Sequence, residues 1–540
     1  MPKSQSSCHN AADVPEMNDV VGSNDVSGLN TNPTSSVSPT EFESTAYAQA
    51  VEYLYGRIDY ERQATHSGPP VFRLDRTAEL FTKLGLSRYL HPSYRVNGSD
   101  DQAAATPLVH IAGTKGKGST STMVSSILTS AGNRVGLYTS PHLTHLNERF
   151  RIDGVPCTDQ QLVDLVGCVR PVVEAMDARG QCVSFFELTT AMAVLYFHQQ
   201  RCDAIVLEVG LGGRLDSTNV CQSSVTAVTS IGLDHQHVLG ETVQEIAAEK
   251  AGIFKSGVPA VCGVRDPDAR QVVHEIAKQR QCELFQFQCD YQAEDIVETE
   301  AGIQFRYRTE GSIAASQLDV RLPLIGNHQA DNASAAITIC RLLDQATQNS
   351  LPLLKHRVDQ AAIEKGLVTV CCDGRLECFQ LKDHGTRLVL DTAHNPDSVG
   401  ALCRAVRSRI QSDRDEVIFR QPVVVVFGTS RDKDVASMAA QLATIADQVI
   451  GTQYCTNPRA LSVDAVVSAF RDAGVRPENL QAELMPDSAL QLALGHAAGG
   501  TVIVCGSFYL AGELRPTMIR MAAPEAGLDR ETTTGLLARS

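Results

Sequence analysis

The chain has no tryptophan, and aromatic residues make up only 5% of its 540 positions. It contains no C-x-x-C spacing and no apolar run long enough to span a bilayer, and its first residues show no basic stretch followed by an apolar one. Without paired cysteine motifs, the 16 cysteines read as reduced, small apolar side chains rather than a zinc site or a disulfide framework. Adjacent Cys371 and Cys372 are poorly placed to bridge each other. With neither a spanning segment nor a signal sequence, a cytoplasmic protein without a membrane partner is expected. Basic residues are short as well. There are 47 Lys and Arg against 62 Asp and Glu, and the formal net charge of −15 argues against nucleic acid as a partner.

What remains is a chain of two-domain length with 43% apolar residues, enough for sizeable cores. Residues 1–45 are rich in Ser, Asn, Thr and Pro and are expected to form a disordered tail. Helical spacing starts near Tyr47 with Ala48, Val51, Leu54 and Tyr55, and an amphipathic helix is expected over 72–86. Strand-like runs follow at 134–139, 204–209, 225–229 and 259–262, with a helix over 186–197. This alternation predicts an α/β fold with a mostly parallel sheet flanked by helices. Residues 282–324 carry shorter, more polar strands and read as a small β subregion, and 329–343 as a helix. A second block has strands at 387–391, 423–427, 448–450 and 501–505. It places a domain boundary near residue 370, giving domains of 46–370 and 371–540.

From Leu108 to Ser119 an apolar strand runs into the turn Gly113-Thr-Lys-Gly-Lys-Gly-Ser119, which opens onto a helix. Successive backbone N–H groups and a helix N-terminus form a phosphate cradle, to which Lys117 adds a full charge. The spelling departs from the strict P-loop. Gly118 follows Gly116 and Lys117, so the first hydroxyl arrives one place late, at Ser119, with Thr120 behind it. Such a turn taken alone also serves as a bare strand-to-helix connection.

Polar clusters follow other strands, at the carboxyl ends where open α/β sheets bind ligands. Glu208 precedes a glycine-rich stretch with Arg214 and Asp216, and suits a hard divalent cation. His235 and His237 share a loop after the next strand, with Lys250 downstream on a helix pattern. In the second block Asp391-Thr-Ala-His-Asn-Pro-Asp397 follows a strand, Asp373-Gly-Arg-Leu-Glu377 lies upstream, and 428–434 follows the next strand. Singly, Lys250 reads as a solvated helix lysine and Asn395-Pro396 as a turn.

Together these pieces resemble the folylpolyglutamate synthase/dihydrofolate synthase branch of the Mur ligase superfamily. Beside the cradle, the matching residues are Thr139-Ser-Pro-His-Leu143, Asn147-Glu-Arg149, Phe185-Phe-Glu187, the 208–219 segment and Asp234-His235. They continue with 249–255, Gly326-Asn-His-Gln329, 391–396 and Gly506-Ser-Phe-Tyr-Leu510, in the family's order over roughly 47–515. The Gly-Lys-Gly-Ser spelling favours the folate branch over other Mur ligases.

The resemblance implies an N-terminal P-loop-type ATPase domain and a C-terminal Rossmann-like domain around one cleft. It implies ATP and Mg²⁺, and a reaction in which a carboxylate takes the γ-phosphate and glutamate's amine then displaces phosphate. Thr114, Gly116, Lys117, Gly118, Ser119, Thr120, Asn332, Arg375 and Asp391 match nucleotide contacts. Ser140, Glu208 and His235 match metal ligands. Lys250 matches a carbamylated lysine, His394 lies beside the reacting groups, and Lys117, Lys250 and His394 are the implied catalytic residues. Arg149, Phe185, Phe186, Leu215 and Asp216 match the pterin or folate side. Leu376 stands after Arg375 where the family often has an aromatic. The implied partners are small molecules: ATP, L-glutamate, and dihydropteroate or a reduced folate. A monomer is expected. A Mur-type ligase acting on a cell-wall precursor is the alternative, and it predicts a UDP-binding domain for which the polar first 44 residues leave no room. A nucleotide-binding regulator would not need Glu208, His235, Lys250 and Asp391 together.

Overall fold

The computed structural model describes residues 39–57, 73–95, 106–299, 301–310, 316–346, 354–381, 385–410 and 419–522. Of the expected disordered tail, residues 1–38 lie outside the described residues. The rest differs from expectation, because a helix runs from Pro39 to Tyr55. Its first residue is proline, whose missing N–H is no loss where a helix begins.

Eight strands build the first sheet: β1 (Leu108–Ala112), β2 (Val135–Tyr138), β3 (Phe150–Ile152), β4 (Val155–Pro156), β5 (Ala204–Glu208), β6 (Val225–Val228), β7 (Ala260–Cys262) and β8 (Leu284–Gln286). Their order is β4-β3-β2-β5-β1-β6-β7-β8. From β2 to β8 all neighbours are parallel, and β3 and β4 add an antiparallel edge. Both faces are buried, so the strands read as continuous apolar runs. Val109, Ile111 and Val206 point into a core shared with Met123, Val124 and Ile127. Leu108, Ile205 and Leu207 point the other way, toward Leu188, Met192 and Phe197. The connections leave β1 toward β2 on one side and return to β6 on the other. The chain after β1 therefore sits at a switch point, where a crevice opens at the strand ends.

The polar stretch 282–324 is not a single subregion. Leu284–Gln286 joins the main sheet as its edge strand, with Phe285 feeding the first core. Only β9 (Tyr291–Thr299), β10 (Gly302–Thr309) and β11 (Ser316–Leu322) form a separate antiparallel sheet. Its alternating Phe305, Tyr307, Leu318 and Val320 pack on the His328–Ala346 helix.

A second sheet contains β12 (Glu377–Gln380), β13 (Arg387–Leu390), β14 (Val423–Phe427), β15 (Gln448–Gly451), β16 (Leu480–Ala482) and β17 (Thr501–Cys505). The order is β12-β13-β17-β14-β15-β16, parallel except for β12. Every described cysteine is free, and no described helix is long and apolar enough to cross a membrane.

The parts around the two sheets meet through specific contacts. Lys115 Nζ lies 2.8 Å from Asp397 Oδ2. Asp373 accepts from Arg151 at 3.0 Å and from Arg515 at 2.8 Å. Away from the cleft, Glu298 Oε2 accepts from Arg409 at 2.8 Å and from Ser408 at 2.9 Å. Leu143 packs on the core of the second sheet, and its carbonyl lies against the Phe508–Met521 helix at Gly512. A methyl on Gly512 would lie 2.1 Å from that carbonyl oxygen, which is backbone and has little room to move. Gly512→Ala is therefore expected to weaken the docked arrangement by about 1–3 kcal/mol. Small-angle scattering should show a more open particle with both halves still folded, and an unchanged scattering profile would refute this role for Gly512.

Candidate active site

The cradle is made where β1 ends and the Lys117–Ser130 helix begins. Gly116 sits at the helix N-cap with φ of 82°, a left-handed conformation that favours glycine. A side chain there would also strike Asn332, whose Oδ1 lies 2.4 Å from the position a methyl would take. The turn is laced to the loop after β6. Thr114 Oγ1 accepts from Gly232 N at 3.1 Å, and Lys115 N donates to Ser230 Oγ at 2.9 Å. Lys117 Nζ donates to Gly113 O at 3.0 Å, and Lys250 Nζ donates to the same oxygen at 3.1 Å. Lys250 is buried, the reverse of a solvated helix lysine. Burial first, and Lys117 second, push its ammonium down to about 7.

Glu208 ends β5 and is 4% exposed. A methyl on Gly118 would lie 3.6 Å from both its oxygens, so the carboxylate faces the start of the cradle helix. Its Oε2 accepts from Ser140 N at 3.1 Å. Burial raises its pKa against the opposing pull of Lys117, the Ser140 N–H, Arg375 and Arg149. His235 occupies a left-handed N-cap, with φ of 50°, in the loop after β6. Its imidazole is 44% exposed at the cleft mouth, and surrounding protein pushes it down to about 4 despite the pull of Asp234, with Lys433, Lys117 and Lys250 adding to the shift. Among the described residues no three His, Cys, Asp or Glu side chains converge as a ready metal cage. The oxygen-bearing Glu208 and Ser140 beside a phosphate cradle instead fit Mg²⁺, which takes one or two carboxylates and completes its shell with phosphate oxygens and water.

From the second sheet, Asp391 follows β13 and is nearly buried. Its oxygens accept from Leu376 N at 2.8 Å and Ala393 N at 2.7 Å. Burial raises its pKa, and Arg375 opposes this. Arg375 lies over the Phe508 ring, 5.3 Å from its centroid. His394 packs on the same ring at 5.4 Å, and its Nδ1 donates to Thr392 O at 2.8 Å. Burial pushes this imidazole down to about 4, so it is neutral near pH 7, with Nε2 as an acceptor.

On the remaining side, Arg149 is 2% exposed, and its guanidinium lies 5.1 Å above the Phe185 ring. Phe186 and Leu215 line the cleft, whereas Phe185 is fully buried behind it. Thr120 is likewise buried within its helix, one place beyond Ser119, which does line the cleft. Asp216 holds its own loop together: Oδ2 accepts from Gly210 N at 3.1 Å and Leu211 N at 3.0 Å, and Oδ1 accepts from Thr218. Apart from Thr120 and Phe185, every expected site residue borders one cleft of about 1470 Å³ between the two sheets.

Two domain families match this chain. The Mur ligase middle domain covers residues 111–340, and the Mur ligase glutamate ligase domain covers 374–508. A Bacillus subtilis dihydrofolate synthase/folylpolyglutamate synthase is 34% identical over 477 residues, covering 87% of this chain and 99% of the relative. The chain belongs to the folylpolyglutamate synthase/dihydrofolate synthase family of Mur ligases. An Escherichia coli dihydrofolate synthase/folylpolyglutamate synthase is 31% identical over 74% of this chain and 83% of its own. Among solved structures, Mycobacterium tuberculosis folylpolyglutamate synthase complexed with ADP and AMPPCP superimposes with a TM-score of 0.73. It is 27% identical and covers 89% of this chain and 100% of its own. Escherichia coli FolC in complex with DHPP and ADP gives 0.67 at 27% identity, over 88% and 98%.

Within this family member, Asn395 and Lys255 fall in segments the sequence singled out, but the contacts by which they hold the site from behind were not foreseen. Asn395 Nδ2 donates to Asp234 Oδ2 at 3.3 Å, and Lys255 Nζ donates to both Asn219 O and Oδ1 at 2.7 Å. The Phe-Phe-Glu run serves partly as structure, because Glu187 caps its helix through Ser184 and pairs with Arg76 at 2.8 Å. The Ser-x-x-Glu spacing was the available signal for the cap; the partner of Glu187, 111 residues away, had none.

Lys250 also carries a pH signature. Its folded value of about 7 lies below the ordinary 10.5, so between these limits the unfolded chain holds a proton that the folded chain lacks. Stability contributed at this site therefore rises with pH across that window. In CO₂-free buffer Lys250→Met should flatten the pH dependence of the melting temperature above pH 7. An unchanged slope would show that Lys250 is not the titrating group.

Proposed function

We propose that the chain is an ATP-dependent ligase that joins L-glutamate to dihydropteroate, to the glutamyl tail of reduced folates, or to both. One observation carries this beyond family membership. The cradle lysine, the Glu208 carboxylate and the second-sheet residues Arg375, Asp391 and His394 border a single cleft. In this reading residues 46–370 form the ATP-binding domain and 371–540 the glutamate-ligase domain.

The physical problem is to bring three anions together: ATP, the acceptor carboxylate and glutamate. Fixed cations and dipoles do this by positioning and by stabilising charge that shifts in the transition state. Backbone N–H groups from Gly116 to Ser119 and the Lys117 ammonium receive the β- and γ-phosphates. Asn332 and Arg375 flank the nucleotide from opposite halves, with Asp391 holding the Leu376 backbone beside Arg375. Mg²⁺ would be held by Glu208 and Ser140, with His235 at the cleft face, and would supply neutralisation of phosphate charge. The acceptor carboxylate forms a bond to the γ-phosphorus as the bond to ADP breaks. The amine of glutamate then adds to the carbonyl, phosphate leaves, and the amine loses a proton. Neutral His394 offers Nε2 as an acceptor near these steps. Lys250, with its ammonium pushed down to about 7, has at pH 7 a substantial share of the free amine that carbon dioxide needs to form a carbamate. The resulting anion would remove the repulsion with Lys117 and support the metal.

Purified protein with ATP, Mg²⁺ and labelled glutamate, offered dihydropteroate or tetrahydrofolate separately, should incorporate label into at least one. No incorporation with either would sink the folate reading. Lys117→Ala should lower kcat by about 10²–10³-fold, as expected for loss of a main charge-stabilising group, with an unchanged circular dichroism spectrum. Wild-type turnover in that variant would remove the cradle from the mechanism.

A further inference from the structure

Tyr55 closes the Pro39–Tyr55 helix, well before the residues that match the Mur ligase middle domain, yet it borders the cleft. Its hydroxyl lies 3.1 Å from His142 Nε2. Its ring stacks on Phe185, with centroids 5.7 Å apart and planes at 22°. Arg149 meets the same two partners. Its Nε donates to His142 Nδ1 at 2.9 Å, and its guanidinium lies 5.1 Å above Phe185. Four side chains therefore close a ring: Arg149, His142, Tyr55 and Phe185.

The ring has a defined polarity. A guanidinium Nε only donates, so His142 Nδ1 is the acceptor and the neutral imidazole carries its proton on Nε2, facing the Tyr55 hydroxyl. Arg149 is buried, lines the cleft, and its charge reaches Glu208. A planar guanidinium with its remaining N–H groups in fixed directions suits a carboxylate. Fixing those directions requires both the imidazole and the aromatic face to stay in place.

We propose that Tyr55 is a positioning residue for the carboxylate-bearing pteroate or folate substrate. It holds His142 and Phe185 so that Arg149 keeps its orientation in the cleft. The inference rests on the ligase reading above and adds a specificity element from the N-terminal helix. The competing view is that Tyr55 only packs this helix against the core, as Ala50 and Leu54 do.

Tyr55→Phe separates the two, because it keeps the ring and removes only the hydroxyl. It should raise the KM for dihydropteroate or tetrahydrofolate about 3- to 10-fold, the value of one hydrogen bond. The KM for ATP and the melting temperature should stay unchanged. Tyr55→Leu, which also loses the stack, should raise the same KM about 10- to 100-fold. In a double-mutant cycle, Tyr55→Phe should add little to Arg149→Lys, because both act on one guanidinium. A wild-type folate KM in Tyr55→Phe, an equal rise in the KM for ATP, or full additivity with Arg149→Lys would overturn the proposal. Failure of the ligase reading looks different: the unaltered protein would then incorporate no glutamate from either substrate.

Discussion

Lys117 and Lys250 donate to the same backbone oxygen, that of Gly113, and much of the surrounding architecture answers to that arrangement. Two ammonium groups a few ångströms apart repel each other by roughly 3 kcal/mol at an effective protein dielectric of about 20. Burial of Lys250 makes its charge dearer still, and the lowered pKa records both effects. The arrangement therefore favours one full cation, on Lys117, with Lys250 readily giving up its proton. Glu208 and Asp216 carry the opposite signature, with carboxyl pKa values raised by burial. The Asp216 charge is met by the amides of its own loop, and that of Glu208 by an amide and by cations across the cleft. Opposing buried charges, each partly relieved by fixed dipoles, give the electrostatic preorganisation on which anion transfer depends.

The sheets convert this local chemistry into a two-sided site. In both, the parallel strands point their carboxyl ends toward the cleft: β1 delivers the cradle, β5 delivers Glu208, β6 the His235 loop, and β13 delivers Asp391 and His394. Contacts between the halves fall both beside and away from the reacting groups. Lys115–Asp397 and Asp234–Asn395 sit at the cleft, whereas Glu298 meets Arg409 from the small antiparallel sheet. The cleft contacts use Lys115, within the cradle turn, and Asp234, beside His235 in the loop after β6.

The sheet strands were legible because they are buried on both faces, and a short continuous apolar run of β-branched residues such as Val423–Phe427 suits a strand covered on both sides. The cradle was legible because glycine, lysine and hydroxyl residues at that spacing answer to one chemistry. Partners far apart in sequence were not. Nothing in the order of residues links Arg76 to Glu187 or Tyr55 to His142, since those contacts exist only once helices pack. The strand over 284–286 was hidden for a related reason: its edge position leaves Leu284 and Gln286 half-exposed, so its polarity resembles that of the neighbouring antiparallel strands. Burial depth was equally invisible. Thr120 and Phe185 belong to motifs with neighbouring members that line the cleft, yet both turn into the core.

The short loop after β2 shows why motif residues with separate assignments act together. Ser140 gives its N–H to Glu208, His142 accepts from Arg149, and Leu143 packs on the second half of the chain. Three residues within a stretch of four thus touch the Glu208 carboxylate, the Arg149 guanidinium and the core of the second sheet. Moreover, Glu148 accepts from the backbone N–H groups of Leu143, Thr144 and His145, which removes slack at the far end of the loop. The core of the second sheet and the side chains of Glu208 and Arg149 are therefore joined through one short backbone segment.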